Sequence, residues 1–209
     1  MSVLETNSKE KSLTVLLPAG RMPLPVMERA YALAREYGLE VYLSTAQNLR
    51  MLGIREEDVE TIKSELAALG ALFKGTVKFP LPRICIGKKD CKLGLIDTED
   101  LSAKILARFM GRAEVKPKIK IAVSGCPACC SNPVMTDIGI MATRAGYEVF
   151  AGGKGGQIPK VGIRIAKGVD EERVLEIIEE LVDFHYANTL KKERMNKLLK
   201  HPDFPFQEV

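Results

Sequence analysis

The chain has no tryptophan, and aromatic residues make up only 6% of its 209 residues. Single-stranded nucleic acid is held by stacking bases on aromatic rings, and this composition offers no such platform. Histidine is nearly as scarce: His185 and His201 are the only two, both far towards the C-terminus. Mixed cysteine–histidine zinc sites and histidine-ligated haem are therefore poorly supported. No apolar run approaches the roughly 20 residues needed to span a bilayer, so no membrane partner is expected. The opening MSVLETNSKEKS is polar and lacks the apolar core of a signal peptide, which makes the cytoplasm the expected location. The net charge of +4 is too weak and dispersed to argue for nucleic acid, although it suits an anionic small molecule or cofactor. GGKGGQ at 152–157 lacks both G-x-G-x-x-G spacing and a following K-[ST], so the chain carries no nicotinamide, flavin or phosphate-loop fingerprint. There is no internal repeat and no low-complexity segment.

What the chain does have is cysteine in tight pairs. Of five cysteines, Cys85 and Cys91 form C-x5-C, and Cys126 and Cys130 form C-x3-C, with Cys129 beside the second pair. Four thiolates are what an iron–sulfur cluster needs. Glycine and proline beside them, in PRICIGKKDCKLG and SGCPACC, let the backbone turn tightly and bring N–H groups near an anionic group. Two plainer readings stand beside this one. Free cysteines are often small buried apolar residues, and zinc also takes four thiolates, although its pairs favour two-to-four-residue spacings that x5 fits less well. In a reducing compartment, free or metal-bound thiols are expected rather than disulfides.

Length and composition, with 46% hydrophobic and 28% charged residues, suit one large or two small globular domains. Residues 12–17 predict a short buried strand and PAGRMPLP a turn. Val26 to Tyr37 has helical spacing with Gly38 as a stop, and residues 39–45 alternate as a second strand. EEDVETIKSELAALG predicts an amphipathic helix ending at Gly70, while Asn48 to Ile54 receives no element. This β-α-β-α order predicts a small α+β sandwich over residues 10–79. From Pro80 the texture changes: a glycine- and lysine-rich loop with the first cysteine pair, a helix around 98–110, then a basic strand KPKIKIAVSG entering the second pair. Strands near DIGIMAT, YEVFAGG and VGIRIAK follow, and Asp170 opens a long helix with Val174, Ile177, Ile178 and Leu181 on one face. The tail KKERMNKLLKHPDF predicts a helix and then an extended end. On the basic strand, Lys118 and Lys120 would share one face, with Ile119 and Ile121 packed behind. Alone, such lysines read as solvated residues guarding a strand edge.

Taken together, the cysteine segments, the strand before the second pair and the glycine loop after it resemble the sirohaem and [4Fe–4S] module of the nitrite and sulfite reductase family. The pattern R-x-C-x-G-x-x-x-C-x-x-G-x-x-D is met by Arg83, Cys85, Gly87, Cys91, Gly94 and Asp97. K-I-K-x-A-V-S-G-C-x-x-x-C is met by Lys118, Ile119, Lys120, Ala122, Val123, Ser124, Gly125, Cys126 and Cys130. The segment STAQNLRMLGI resembles a stretch of the family's ferredoxin-like half-domain. The resemblance covers about residues 12–170, and the chain's length is that of a small single-module sulfite reductase.

The resemblance implies an α+β protein: a ferredoxin-like N-terminal half-domain at 10–79 and an α/β sirohaem and iron–sulfur cluster-binding domain at 80–209. It implies two cofactors, sirohaem and a [4Fe–4S] cluster, with Cys85, Cys91, Cys126 and Cys130 as cluster ligands and Cys130 bridging to sirohaem; a register in which Cys129 competes is the alternative. Arg83, Lys118, Lys120 and Arg21 would bind the oxyanion substrate. Lys154, the backbone of Gly152 and Gly153, and the side chains of Gln47 and Asn48 would meet sirohaem. The implied reaction is six-electron reduction of sulfite to sulfide, or of nitrite to ammonia, with electrons from an external donor such as a ferredoxin or a partner subunit. A non-catalytic iron–sulfur electron carrier is the reading from another class, and a homodimer lending residues across an interface stays open.

Overall fold

The computed structural model describes residues 10–190 and 192–209. The N-terminal stretch through residue 9, read above as lacking a signal-peptide core, and Lys191 of the tail lie outside the described residues. The chain divides into two compact units that meet between Val77 and Lys78. Among the described residues, no helix is long and apolar enough to cross a membrane.

The first unit runs β1 (Glu10–Leu16), α1 (Leu24–Tyr37), β2 (Glu40–Leu43), β3 (Leu49–Arg55), α2 (Val59–Ala68) and β4 (Leu72–Phe73). Its strands form one antiparallel sheet in the order β2-β3-β1-β4. This is β-α-β-β-α-β rather than the expected β-α-β-α, and the difference lies in 48–54, which becomes the inner strand β3. Leu49 and Met51 face the core at period two. Gly53, at φ 80°, then bulges between the pairs Ser12–Leu52 and Lys11–Ile54. The bulge shifts the inward face by one residue, so Ile54 is fully buried where strict alternation would expose it. Val26, Ala30 and Leu33 of α1 and Ile62 and Leu66 of α2 share a core with Leu13, Val15, Leu49, Met51 and Phe73. Arg29 and Glu65 pair across the two helices.

The second unit contains β5 (Arg83–Ile84), α3 (Thr98–Phe109), β6 (Ile121–Ser124), β7 (Ile138–Thr143), β8 (Gly146–Ala151), β9 (Ile163–Val169) and α4 (Glu171–Asn188). Its sheet is ordered β5-β6-β7-β8-β9; the first three strands are parallel and the last two pairings antiparallel. A parallel pair needs a crossover, and α3 supplies it between β5 and β6. Asp97 caps α3 by accepting from the N–H groups of Glu99 and Asp100, and Asp170 caps α4 through the N–H of Arg173. Leu101, Ile105 and Phe109 of α3 are buried, as are Val174, Ile177, Ile178 and Leu181 of α4. Ion pairs join the two helices: Lys104 to Glu171 at 2.6 Å, and Arg108 to Glu172 at 2.6 Å and to Glu179 at 2.9 Å.

Two expectations for this unit need correction. The basic strand is shorter than predicted. Lys118 sits at φ 83°, and regular pairing begins only at Ile121. A lysine in the left-handed region cannot belong to an extended strand, although Ile119 and Ile121 are buried and Lys118 and Lys120 exposed, as the alternation required. The tail is not a helix beyond the short 3-10 turn Met195–Lys197. Burial of Met195 and Leu198, rather than a repeating apolar face, holds it down.

Candidate cofactor and anion site

Both cysteine segments begin at the carboxyl ends of neighbouring parallel strands, Cys85 directly after β5 and Cys126 two residues after β6. Parallel pairing of Ile84 with Val123, continued by the hydrogen bond from Cys85 N to Val123 O at 3.2 Å, brings the segments side by side across forty residues of sequence. Loops at this end of parallel strands are where such sheets hold ligands. The contact is close enough for Gly125 N to donate to Cys85 Sγ at 3.1 Å. A backbone N–H aimed at a thiol sulfur is the polarity that stabilises a thiolate ligand.

Thr98, the first residue of α3, fastens the segments together. It is fully buried, and its hydroxyl donates to Cys85 O at 2.6 Å. A Cβ at Gly87 would lie 2.6 Å from Thr98 Oγ1, one at Gly125 3.1 Å from Thr98 Cγ2, and one at Gly94 2.5 Å from Lys88 N. The motif glycines are therefore demanded by close contact with Thr98 and with neighbouring backbone. In the second segment, Ser131 N donates to Ser124 Oγ at 3.2 Å, and the two serine hydroxyls lie 2.8 Å apart. Cys129 is at φ 60°, with Cys129 N donating to Cys126 O at 3.2 Å. Cys126 is buried, Cys85, Cys91 and Cys129 are half-buried, and Cys130 is exposed. Among the described residues, no three His, Cys, Asp or Glu side chains gather tightly enough for a single metal ion.

Arg83, expected to bind the substrate anion, makes contacts within the protein. Its Nε and Nη2 donate to Ser131 O at 3.0 and 2.6 Å, and Nη2 lies 3.4 Å from Thr136 Oγ1. Desolvation lowers its pKa from the ordinary arginine value. The side chain is occupied in tying one cysteine segment to the other. Lys118 and Lys120 remain exposed. Desolvation by surrounding protein holds the Lys120 ammonium below its ordinary value; Arg194, Arg83 and Lys118 add to this, and Asp137 opposes it.

The glycine loop, expected to meet sirohaem, is packed and bonded within the protein. Gly152 N already donates to Asp137 O at 2.8 Å, and a Cβ there would lie 2.6 Å from Leu199 Cδ1. A Cβ on Gly153 would lie 2.4 Å from Val134 O. Both glycines are buried against protein, so the Gly152 N–H is not free for a cofactor carboxylate. Lys154 and Lys160 exchange backbone hydrogen bonds at 2.8 and 2.7 Å and close the loop as a hairpin. In the first unit, Asn48 Oδ1 accepts from Leu17 N at 3.3 Å and Asn48 N donates to Ser44 Oγ at 3.2 Å. Gln47 packs against Gly20, next to Arg21. These three expected site residues thus gather where the 17–21 and 44–48 turns meet, and Asn48 is engaged in holding those turns.

The sequence singles out none of Thr98, Ser131, Asp137 and Arg194 as site residues, and Ser124 only as part of the second motif. Thr98 had a signal, since it follows the capping Asp97 within the first motif. Asp137 and Arg194 had none, being 57 residues apart in loops.

Thiols borne on backbone turns at the ends of parallel strands, with a cationic patch in the same unit, are the layout of an iron–sulfur oxidoreductase. Residues 81–203 match the family described as nitrite and sulphite reductase 4Fe-4S domain, and residues 5–69 match its nitrite/sulfite reductase ferredoxin-like half domain. The chain belongs to the nitrite and sulphite reductase family, and with membership come sirohaem and a [4Fe–4S] cluster. It is 24% identical over 201 residues to an assimilatory-type sulfite reductase of Nitratidesulfovibrio vulgaris, covering 95% of this chain and 91% of that relative. It is 26% identical to the nitrite reductase (NADH) large subunit of Escherichia coli, covering 85% of this chain but only 21% of that relative. With the ferredoxin–nitrite reductase of Synechococcus elongatus the identity is 26%, and the shares are 79% and 34%. Among solved structures, dissimilatory sulfite reductase I superposes with TM-score 0.78 at 13% identity over 91% of this chain and 66% of that one. The Mycobacterium tuberculosis NirA protein gives 0.67 at 20%, over 90% and 37%. These two likenesses show the fold alone. The residues present suit a thiolate-held cluster: the four motif cysteines are free, and one already accepts a backbone N–H.

Proposed function

We propose that the chain is a sulfite reductase that takes sulfite to sulfide with six electrons, using Cys85, Cys91, Cys126 and Cys130 as cluster ligands. The observation that carries the ligand set is the Gly125 N–H to Cys85 Sγ contact, which sets the two cysteine segments against each other. Cys130, the exposed member, would be the ligand best placed to link the cluster to sirohaem electronically. When bound, the paired cofactors supply electrons and a metal for the substrate anion. The protein's part is to hold that anion and bring protons to its oxygens, which leave as water. Lys118 and Lys120 hold the anion, and Lys120, whose ammonium desolvation holds below its ordinary value, gives up its proton the more readily. Arg21 is a further candidate substrate contact, and Lys154, Gln47 and Asn48 remain candidate sirohaem contacts. An external donor of the ferredoxin type, or a partner subunit, supplies the electrons in this reading, which is set in the cytoplasm; a homodimer is compatible with it.

Sulfite is preferred to nitrite because the relative of matching length is a sulfite reductase, whereas the chain spans only about a fifth to a third of the two nitrite reductases above. Nitrite reduction to ammonia is the second reading, carried by those same relatives. Anaerobic purification followed by a visible spectrum, iron and acid-labile sulfide assays, and turnover with a chemical reductant tests both. A sirohaem band, several irons per chain and faster consumption of sulfite than nitrite are expected. Stoichiometric zinc without a sirohaem band would overturn the proposal.

A further inference from the structure

The C-terminal tail carries a charged group into the neighbourhood of Lys120, and its placement is fixed from below. Asp137, just before β7, is 0% exposed. Its Oδ1 accepts from Arg194 Nε at 2.7 Å and from Met195 N at 3.1 Å, and Arg194 Nη2 reaches Gly153 O at 3.3 Å. Those bonds engage Nε and Nη2; Nη1 makes no hydrogen bond to a described residue, and the side chain keeps 21% exposure. Asp137 Oδ2 is buried with no partner. An orphaned buried acceptor is costly and calls for an explanation. The carboxylate's other oxygen is committed to the Arg194 guanidinium.

We propose that Arg194, held by Asp137, is a third cation of the Lys118–Lys120 patch and presents Nη1 to an anionic oxygen ligand. Ile138 N donates to Lys120 O at 3.0 Å, so Asp137, the residue before Ile138, lies beside Lys120 and holds the Arg194 guanidinium in its neighbourhood. With Arg194, the patch sets three positive side chains against the Asp137 carboxylate, which has already given Oδ1 to Arg194 and to the Met195 N–H. The imbalance favours an anion, and a guanidinium locked on one side is pre-oriented to donate from the other. Two anions share the required chemistry, the inorganic oxyanion substrate and a carboxylate of sirohaem. Asp137 is a positioning residue, acting only through Arg194. The inference rests on the reading of Lys118 and Lys120 as anion-binding.

The test uses holoprotein and two variants, Arg194→Lys and Lys120→Ala. Lysine keeps a charge beside Asp137, so the buried carboxylate stays paired and the tail stays docked, but it lacks the second donor edge. Circular dichroism and thermal midpoint check that docking. The readouts are sirohaem per chain after extraction, and the sulfite dissociation constant from the shift of the Soret band. If the ligand is substrate, Arg194→Lys keeps its sirohaem and binds sulfite about 10- to 100-fold more weakly, the worth of one charge-assisted hydrogen bond. If the ligand is a cofactor carboxylate, the variant folds but retains less sirohaem. A folded Arg194→Lys protein that matches wild type in both readouts while Lys120→Ala is impaired overturns the inference and leaves the proposed function standing. Wild-type behaviour in both variants overturns the inference together with the anion-binding reading of the patch.

Discussion

Arg83 and Ser131 are joined by two hydrogen bonds from one guanidinium to one carbonyl oxygen, at 3.0 and 2.6 Å. Arg83 lies two residues before Cys85, and Ser131 directly follows Cys130. A single side chain thus spans the two halves of the candidate cluster site. Replacing it by alanine strands a half-buried carbonyl, and we expect a loss of about 2–3 kcal/mol in unfolding free energy. Iron content should fall with it, because the second cysteine segment loses its tie to the first. Denaturant titration with iron analysis of Arg83→Ala checks this; unchanged stability and iron would return Arg83 to the role of a substrate ligand.

Glycine substitutions separate contact from flexibility. An alanine methyl at Gly94 meets the Lys88 backbone at 2.5 Å, whereas one at Gly111 meets nothing within 4 Å. Gly94→Ala should cost roughly 1–3 kcal/mol and lower iron occupancy, while Gly111→Ala stays within about 1 kcal/mol of wild type. Equal effects in a thermal melt would refute the contact argument.

The adjacent cysteines should differ. Cys130→Ser is expected to lose iron and any electronic coupling between cluster and sirohaem, and Cys129→Ser to keep both with modest loss. Paired iron assays and electron paramagnetic resonance spectra decide it. The reverse pattern would shift the bridging thiolate by one residue.

Lys118→Ala and Lys120→Ala should preserve cofactor absorbance and cut sulfite turnover. A charge-assisted contact that strengthens in the transition state is worth roughly 2–4 kcal/mol, or about 30- to 1,000-fold in rate. Full activity in both would make them solvated surface lysines.

A pH effect on stability is expected at the docked tail. Burial holds the His185 ring below its ordinary value, and its Nε2 contacts Glu193 O at 3.0 Å. At a pH between the folded and ordinary values, the unfolded chain takes up a proton that the folded chain refuses. Stability is therefore full above the ordinary imidazole value of about 6.5 and falls as pH drops below it, levelling off once the folded ring also titrates. His185→Gln retains a donor and should flatten the melting midpoint between pH 7 and 5 relative to wild type; parallel curves would contradict the assignment.

The helices were readable because each repeats its apolar face over several turns, as Val26, Ala30 and Leu33 do, or Val174, Ile177, Ile178 and Leu181. β3 was unreadable for a definite reason: Gly53 breaks the alternation, and a period-two pattern cannot register a one-residue slip. Lys118 and Lys120 were legible as exposed but not as lying before the strand, since burial alternates through the turn at Lys118 as it would in a strand. The cysteine segments stood out because their glycines lie at fixed offsets, and close contacts with Thr98 at Gly87 and Gly125 and with the Lys88 backbone at Gly94 explain those offsets. The Ser131 partner of Arg83 was hidden because one guanidinium serves an anion or a carbonyl equally well, and the two residues are 48 apart in sequence. The Asp137–Arg194 pair depends on where a non-repetitive tail docks, which no local pattern encodes.

The crossover that places β5 beside β6 also sets an order of events during synthesis. Cys126 leaves the ribosome thirty-five residues after Cys91, a delay of roughly 2–7 s at ordinary elongation rates. For that interval the first thiol pair has neither its partner loop nor the Gly125 N–H, and α3 has no β6 to pack on. Stray zinc or an oxidant meets an unguarded dithiol. A cluster delivered then would find half a seat, so productive loading belongs after translation has passed β6, and slowing elongation across residues 92–125 should increase mis-metallated product without altering a single side chain.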